Sequence, residues 1–201
     1  GRIGTALDLA CGTGNLAAEI LRLEPTATVV GLDLSRESLA IARTRVGGHD
    51  ARERSRLLLV EGSADRLPLA DKSFDAVVMG NAIHNLPDLD RLLDEVLRVL
   101  RPGGVFAFNT SFYAGTFAPG TERFYLQWMK EALRWAQRNG HGGGSDPGSG
   151  PPRKRGTKPR SAEHPWLSAG QYEEALARHG FRLQPSRERS IEMSQESFES
   201  V

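Results

Sequence analysis

Residues 7–15, Leu7-Asp8-Leu9-Ala10-Cys11-Gly12-Thr13-Gly14-Asn15, constrain what this chain can fold into more than any other stretch. Ile3 to Ala10 reads as a strand, and it empties into a turn with glycines at 12 and 14. A helix follows from Asn15 to Leu23, with apolar positions Leu16, Ile20 and Leu23. Glycines in such a turn let the backbone approach a ligand with no Cβ in the way. The next helix aims free N–H groups at the same spot. A strand, a glycine turn and a helix make the first half of a β-α-β unit, which commits the chain to a mainly parallel sheet.

The turn can be read in two frames. Gly12-Thr13-Gly14-Asn15-Leu16-Ala17 fits GxGxxA, a dinucleotide fingerprint that is weak by itself. Asp8-x-Ala10-x-Gly12-x-Gly14 instead puts a carboxylate at the end of the strand, ahead of the glycines. That carboxylate repels a diphosphate and attracts an ammonium group, such as that of a methionine moiety. The second frame explains one more residue and is preferred. Asp33 closes the second strand in Val30-Gly31-Leu32-Asp33-Leu34. In a doubly wound sheet that position lies beside the first turn, where a carboxylate can accept from both hydroxyls of a ribose. The bland alternative is a helix cap, but Ser35 already offers one.

The remaining pattern extends the same architecture. Strands are expected over Thr28–Asp33, Arg56–Glu61, Phe74–Gly80 and Val105–Thr110. Helices are expected from Ser35 to about Arg45 and from Leu89 to about Leu100, where Leu92, Leu93, Val96, Leu97 and Leu100 fall at helical spacing. Arg101-Pro102-Gly103-Gly104 stops the second of these. Thr121–Arg138 looks helical, and 139–165, rich in Gly, Pro, Ser, Lys and Arg, reads as a flexible loop. Ser168 and Gln171 suggest a capping box on a helix ending near His179-Gly180. Phe181–Leu183 would begin a sixth strand, and Ser194 looks like another N-cap. The fold class is thus α/β, a doubly wound Rossmann-like sheet with a helical and loop insertion after the fifth strand. Residues 1–110 form the ligand-binding core, 111–167 a lid-like insertion, and 168–201 the completion of the same domain.

Composition sets limits. Lys and Arg number 26 against 25 Asp and Glu, a net charge of +1 that argues against domain-wide attraction to nucleic acid or acidic membrane. No apolar run approaches the ~20 residues that cross a bilayer. The single cysteine, Cys11, excludes an internal disulfide and suits a reducing, cytoplasmic setting, with small-residue packing as its expected role. His49, His84, His141, His164 and His179 show no metal-ligand spacing, so no metal is expected. The first residue is not Met and the third already reads as strand, as in a domain cut from something longer.

Four ordered motifs carry a resemblance: LDLACGTG at 7–14, VVGLDLS at 29–35, EGSADRLPLADKSFDAVVMGNAIHNLPD at 61–88, and EVLRVLRPGGVFAF at 95–108. With these the chain resembles the class I S-adenosylmethionine-dependent methyltransferases, nearest the small-molecule branch that includes the quinone-biosynthesis C-methyltransferases. The resemblance covers 3–110 and resumes at 168–183. It implies S-adenosyl-L-methionine as cofactor, S-adenosyl-L-homocysteine as product and a small-molecule acceptor. It also implies roles for matching positions. Ala10, Gly12 and Gly14 would pack against the methionine part, with Asp8 beneath its ammonium group. Asp33 would hold the ribose and Leu34 cover the adenine face. Ser63, Ala64 and Asp65 would meet the adenine edge, and Asn81 would sit beside the sulfonium. Two positions depart from the pattern. Ala10 replaces the first glycine, a modest change if its φ is negative, and Ser63 replaces an Asp that often meets the adenine amino group.

His84, in Asn81-Ala82-Ile83-His84-Asn85-Leu86, should border the site of transfer as a base or acceptor-orienting group; a locally bonded loop histidine is the competing reading. No Asn-Pro-Pro-Tyr follows the fourth strand, which disfavours the exocyclic-amine DNA methyltransferases. Nine of the 14 aromatic residues fall between Phe106 and Trp135, which suggests an apolar or aromatic acceptor under a lid, although many of them serve packing. The basic run Arg153-Lys154-Arg155 with Lys158 and Arg160 reads as a solvated loop, with phosphate contact as the alternative. A nicotinamide-dependent oxidoreductase would share Asp33 and the glycines but has no use for Asp8. A non-catalytic module of a multidomain protein would need none of the three.

Overall fold

Strand-forming runs rich in Val, Leu and Ala alternate with amphipathic helices, and the chain folds as that alternation dictates. The computed structural model describes residues 3–47, 51–114 and 166–185, together with 116, 127, 131, 134, 138 and 187. The elements in order are β1 (Thr5–Leu9), α1 (Asn15–Leu23), β2 (Thr28–Asp33), α2 (Arg36–Gly47), α3 (Ala51–Ser55), β3 (Leu57–Glu61), β4 (Phe74–Gly80), a 3-10 turn (Ile83–Asn85), α4 (Leu89–Val99), β5 (Leu100–Asn109) and α5 (Ala169–Arg178). The strands make one parallel sheet in the order β3-β2-β1-β4-β5. Strand order reverses between β1 and β4, and the crevice at their carboxyl ends is where folds of this kind bind ligands. The expected Rossmann-like class is the one observed.

Alternate residues of the strands feed two cores. Ala6, Val29 and Ala76 pack with Ala17 and Leu21 of α1 and Val46 of α2 on one face. Leu7, Leu9, Val30, Leu32, Val77 and Met79 pack on the other against Leu92, Leu93, Val96 and Val99 of α4 and Tyr172 and Ala175 of α5. Each fully buried aliphatic side chain in this layer contributes roughly 1.5–3 kcal/mol. Asp88 caps α4 by accepting from Arg91 N–H at 3.0 Å, and Ser35 caps α2 by accepting from Ser38 N–H at 3.1 Å. The capping box on α5 is present: Ser168 Oγ accepts from Gln171 N–H and Gln171 Oε1 from Ser168 N–H. His179 at the end of α5 then docks onto α4, with its ring nitrogens 2.9 Å from Asp90 and 3.0 Å from Asp94.

Several expectations need correction. Helix α1 has the right period and a shifted phase: Ala17 and Leu21 are buried, whereas Leu23 is exposed. On α4, Val99 is core and Leu97 is half-exposed, and the helix ends at Val99 rather than Leu100. Strand β5 begins at Leu100 rather than Val105. Phe74 pairs with Leu100, Ala76 with Val105, and the Pro-Gly-Gly stretch forms an irregularity inside the strand with Gly103 at φ 81°. The short helix α3 has no counterpart in the sequence reading. Phe181–Leu183 is not a strand: Phe181 N–H donates back to Leu176 O at 3.1 Å, its ring packs on Phe106, and Leu183 is exposed. Closing the helix end takes the backbone group that a ladder would use. Within 121–138, residues Gln127, Glu131, Arg134 and Arg138 are helical; Phe124, Trp128, Trp135, the basic run and Ser194 lie outside the described residues.

Candidate functional site

The glycine turn is built from three left-handed residues at alternate positions: Ala10 at φ 58°, Gly12 at 52° and Gly14 at 82°. The two glycines answer different demands. A Cβ on Gly12 would meet nothing within 4 Å, so that position faces open space above the turn. A Cβ on Gly14 would come within 3.0 Å of Ala42 Cβ and 3.1 Å of Val46 Cγ2, so its absence lets the start of α1 lie against α2. Ala10 has a positive φ, not the negative one that would make its replacement of a glycine a modest change. An L-residue there brings Cβ against its own carbonyl, at a cost of roughly 1–2 kcal/mol.

Asp8 is 1% exposed at the end of β1. Its Oδ2 accepts from Ala17 N–H in the first turn of α1 at 2.9 Å, while Oδ1 has no hydrogen-bond partner among the described residues. Burial pushes its pKa up to about 7, against the Ala17 hydrogen bond and helped by the nearby charge of Asp33. Asp33 lies on the same turn from the other side. Its Oδ2 accepts from Gly12 N–H at 2.8 Å and its Oδ1 from Ser35 N–H at 2.8 Å, so one carboxylate ties the glycine turn to the end of β2. The main chain adds Cys11 N–H to Leu32 O at 3.0 Å. Cys11 itself is buried, and desolvation with the charges of Asp8 and Asp33 pushes its thiol up to about 12. The thiol stays protonated and packs against Gly31, whose missing Cβ would sit 3.0 Å from Sγ.

Leu34 follows Asp33 and is 69% exposed, an apolar side chain held in solvent beside the carboxylate. The loop after β3 reaches the same edge through Gly62 N–H, which donates to Asp33 O at 3.0 Å. In that loop Ala64 is buried, and the Ser63 hydroxyl donates to Asp65. The two polar candidates for a base edge therefore act as one pair.

The other bank of the crevice comes from the ends of β4 and β5. Asn81, with φ 49°, receives Ser111 N–H on its Oδ1 at 2.9 Å, and its own N–H donates to Asn109 Oδ1 at 2.8 Å. His84 sits half-buried on the 3-10 turn, with Nδ1 2.9 Å from Thr110 Oγ1 and its ring 4.6 Å from that of Phe112. Burial lowers its basicity. Phe112 in turn makes a tilted contact with Trp166, ring centroids 5.3 Å apart. The structure thus gathers Asp8, Ala10, Gly12, Gly14, Asp33, Leu34 and 63–65 at the ends of β1–β3, and Asn81 and His84 at the ends of β4 and β5. Sequence reasoning missed Asn109, Thr110 and Trp166. The adjacency of β4 and β5 could have signalled the first two; nothing local signals Trp166. Of the aromatic residues expected near the acceptor, Phe106 and Phe108 pack with Phe181 and Tyr172 instead.

Among the described residues, no group of three or more His, Cys, Asp or Glu is arranged to hold a metal, and no helix is long and apolar enough to cross a membrane. The family model described as methyltransferase domain matches residues 7–108, half of the chain. The chain belongs to the methyltransferase domain family. This methyltransferase domain is 39% identical over 100 residues to a demethylmenaquinone methyltransferase of Lactobacillus johnsonii, a match covering 49% of the chain and 40% of that protein. It is 43% identical over 127 residues to the demethylmenaquinone methyltransferase of Chlorobaculum parvum, covering 63% of the chain and 48% of the relative. The matches thus span less than half the length of these curated relatives. Among solved structures, a Bacillus halodurans protein assigned to the methyltransferases superposes with a TM-score of 0.61 at 22% identity, over 92% of this chain and 65% of that one, a likeness of fold.

Proposed function

We propose that this domain binds S-adenosyl-L-methionine and directs its methyl group to a small apolar or aromatic acceptor, leaving S-adenosyl-L-homocysteine. The observation that carries the reading is the unpartnered, buried Oδ1 of Asp8 beneath a turn whose Gly12 faces open space. A buried carboxylate oxygen without a donor is costly, and an ammonium group at the turn supplies one. Asp33, already fixed by two backbone N–H groups, keeps a further lone pair on each oxygen for ribose hydroxyls. Leu34 offers the apolar cover for adenine, and the Ser63–Asp65 pair offers acceptors for its edge. Asn81 stands on the methionine side of the crevice.

When bound, S-adenosyl-L-methionine would supply an electrophilic methyl group whose transfer to the acceptor releases a neutral thioether. The protein's own work is alignment and exclusion of water. His84, with Phe112 beside it and Trp166 packed on Phe112, orients the acceptor. The relatives' names point to a quinone-precursor ring, which matches an aromatic wall. The net charge of +1 favours a small molecule over a nucleic acid as partner, and a cytoplasmic setting is part of the proposal.

Calorimetric titration tests this. S-Adenosyl-L-homocysteine should bind with micromolar affinity and NAD should not. Binding of NAD in preference would establish the oxidoreductase reading, and binding of neither would establish the non-catalytic one.

A further inference from the structure

The hydroxyl of Thr110 meets more groups than its one proton can serve. Phe112 N–H donates to it at 3.1 Å, His84 Nδ1 lies at 2.9 Å and Phe112 O at 3.3 Å. A hydroxyl has one proton and two acceptor sites. The Phe112 N–H occupies one acceptor site, and the proton must go either to Nδ1 or to the Phe112 carbonyl. At 3.3 Å the carbonyl is beyond the ~2.5–3.0 Å of a good O–H···O bond, while Nδ1 is at normal range. Neutral imidazole also intrinsically favours the form protonated on Nε2.

We infer that Thr110 is a positioning residue that holds His84 in the Nε2–H form, so that His84 presents a hydrogen-bond donor, and not a base, to an oxygen of the methyl acceptor. Three further observations agree. Burial lowers the basicity of His84 and keeps the ring neutral. Among the described residues Nε2 has no hydrogen-bond partner, which leaves its proton for a ligand. The tilted contact with Phe112 fixes the ring plane. The acceptor class that matches is one with a carbonyl, phenolate or enolate oxygen next to the nucleophilic atom. A donor stabilises negative charge on that oxygen, so the acceptor binds as its phenolate or enolate, having given its proton to solvent before the site closes on it.

The inference rests on the methyltransferase reading only for the identity of the ligand; the tautomer is a property of the protein alone. It is measured by long-range proton–nitrogen NMR of the full chain labelled with nitrogen-15 in histidine. His84 is assigned by the signal lost in His84→Gln. Wild type near pH 7.5 should show an unprotonated, downfield Nδ1 and a protonated, upfield Nε2. Thr110→Val, which keeps the shape and removes the hydroxyl, should narrow that separation toward the average of a free neutral imidazole, in which Nε2–H still leads, and Thr110→Ser should restore the full separation. A protonated Nδ1 in wild type, or the same pattern in Thr110→Val, overturns the inference. If Thr110→Val does not fold, Thr110→Ala takes its place, and a wild-type pattern in Thr110→Ala overturns the inference in the same way. Loss of S-adenosyl-L-homocysteine binding would refute the cofactor reading without touching this result.

Discussion

Replacing Asp8 by Asn separates what the carboxylate does for the fold from what it does for the ligand. Asp8 is buried, and its pKa is pushed up from 3.8 to about 7. Between those values the folded protein holds a proton that the unfolded chain has released. Stability from this group is therefore fully present below pH 3.8 and is lost as pH rises through about 7. At ~1.36 kcal/mol per decade of acidity the fall across the window is on the order of 4 kcal/mol. Asn cannot ionise. Its Oδ1 can take over the Ala17 N–H, and its amide group must sit where the lone oxygen sat, at a cost of ~1–3 kcal/mol. Urea unfolding from pH 4.5 to 8 should therefore give a variant without this slope, less stable than wild type at the acid end and at least as stable at pH 8. Ligand binding should move the other way. An ammonium group favours the charged carboxylate, so wild-type affinity for S-adenosyl-L-homocysteine should climb with pH up to about 7 and then level. In Asp8→Asn it should fall by ~10–100-fold at pH 8, the worth of a lost close charge pair at ~1.4–2.8 kcal/mol. Parallel stability profiles for the two proteins would refute the buried-acid argument, and unchanged affinity would refute the ammonium assignment.

Further predictions follow from the same turn and its opposite edge. Ala10→Gly relieves the left-handed strain at φ 58° and, after the extra freedom of the unfolded chain, should stabilise by about 0.5–1 kcal/mol, a rise of ~1–4 °C in Tm by calorimetry. Gly12→Ala should cost ~1 kcal/mol in stability and far more in S-adenosyl-L-homocysteine affinity, because the new Cβ enters the open space above the turn. In Asp33→Asn one backbone N–H, of Gly12 or Ser35, faces an amide donor, so the variant should lose ~1–3 kcal/mol in urea unfolding along with ligand affinity. At the amino-terminal ends of β1 and β4, opposite the crevice, Arg101 and the N–H groups of Thr5 and Gly4 hold the Asp75 pKa down to about 2. Stability from Asp75 is present above pH 3.8 and disappears as pH falls through about 2, so acid unfolding of Asp75→Asn should be less steep than that of wild type.

Much of this was legible in the chain itself. Apolar periodicity and turn residues are local, so β2, β4, α1 and the capped helix α5 could be placed to within a residue or so. The Asp8-to-Gly14 frame and Asp33 marked the crevice because a parallel sheet must bring the ends of neighbouring strands together. Where an element depends on a partner, local pattern misled. Phe181–Leu183 has the composition of a strand, and its backbone is turned back to close α5.

Other features belong to the tertiary structure alone. The sign of φ at Ala10 is set by how β1 enters the turn, and no residue type announces it. Asp8 has one oxygen bonded and one bare because α1 sits at a particular distance from β1. His84, Thr110, Phe112 and Trp166 come from three separate segments and meet only because β4 and β5 lie side by side and the chain returns at α5. Sequence spelled the order of the elements and the chemistry available, since those depend on near neighbours. Distances between groups far apart in the chain depend on how whole layers pack, and that packing decided which of them became a site.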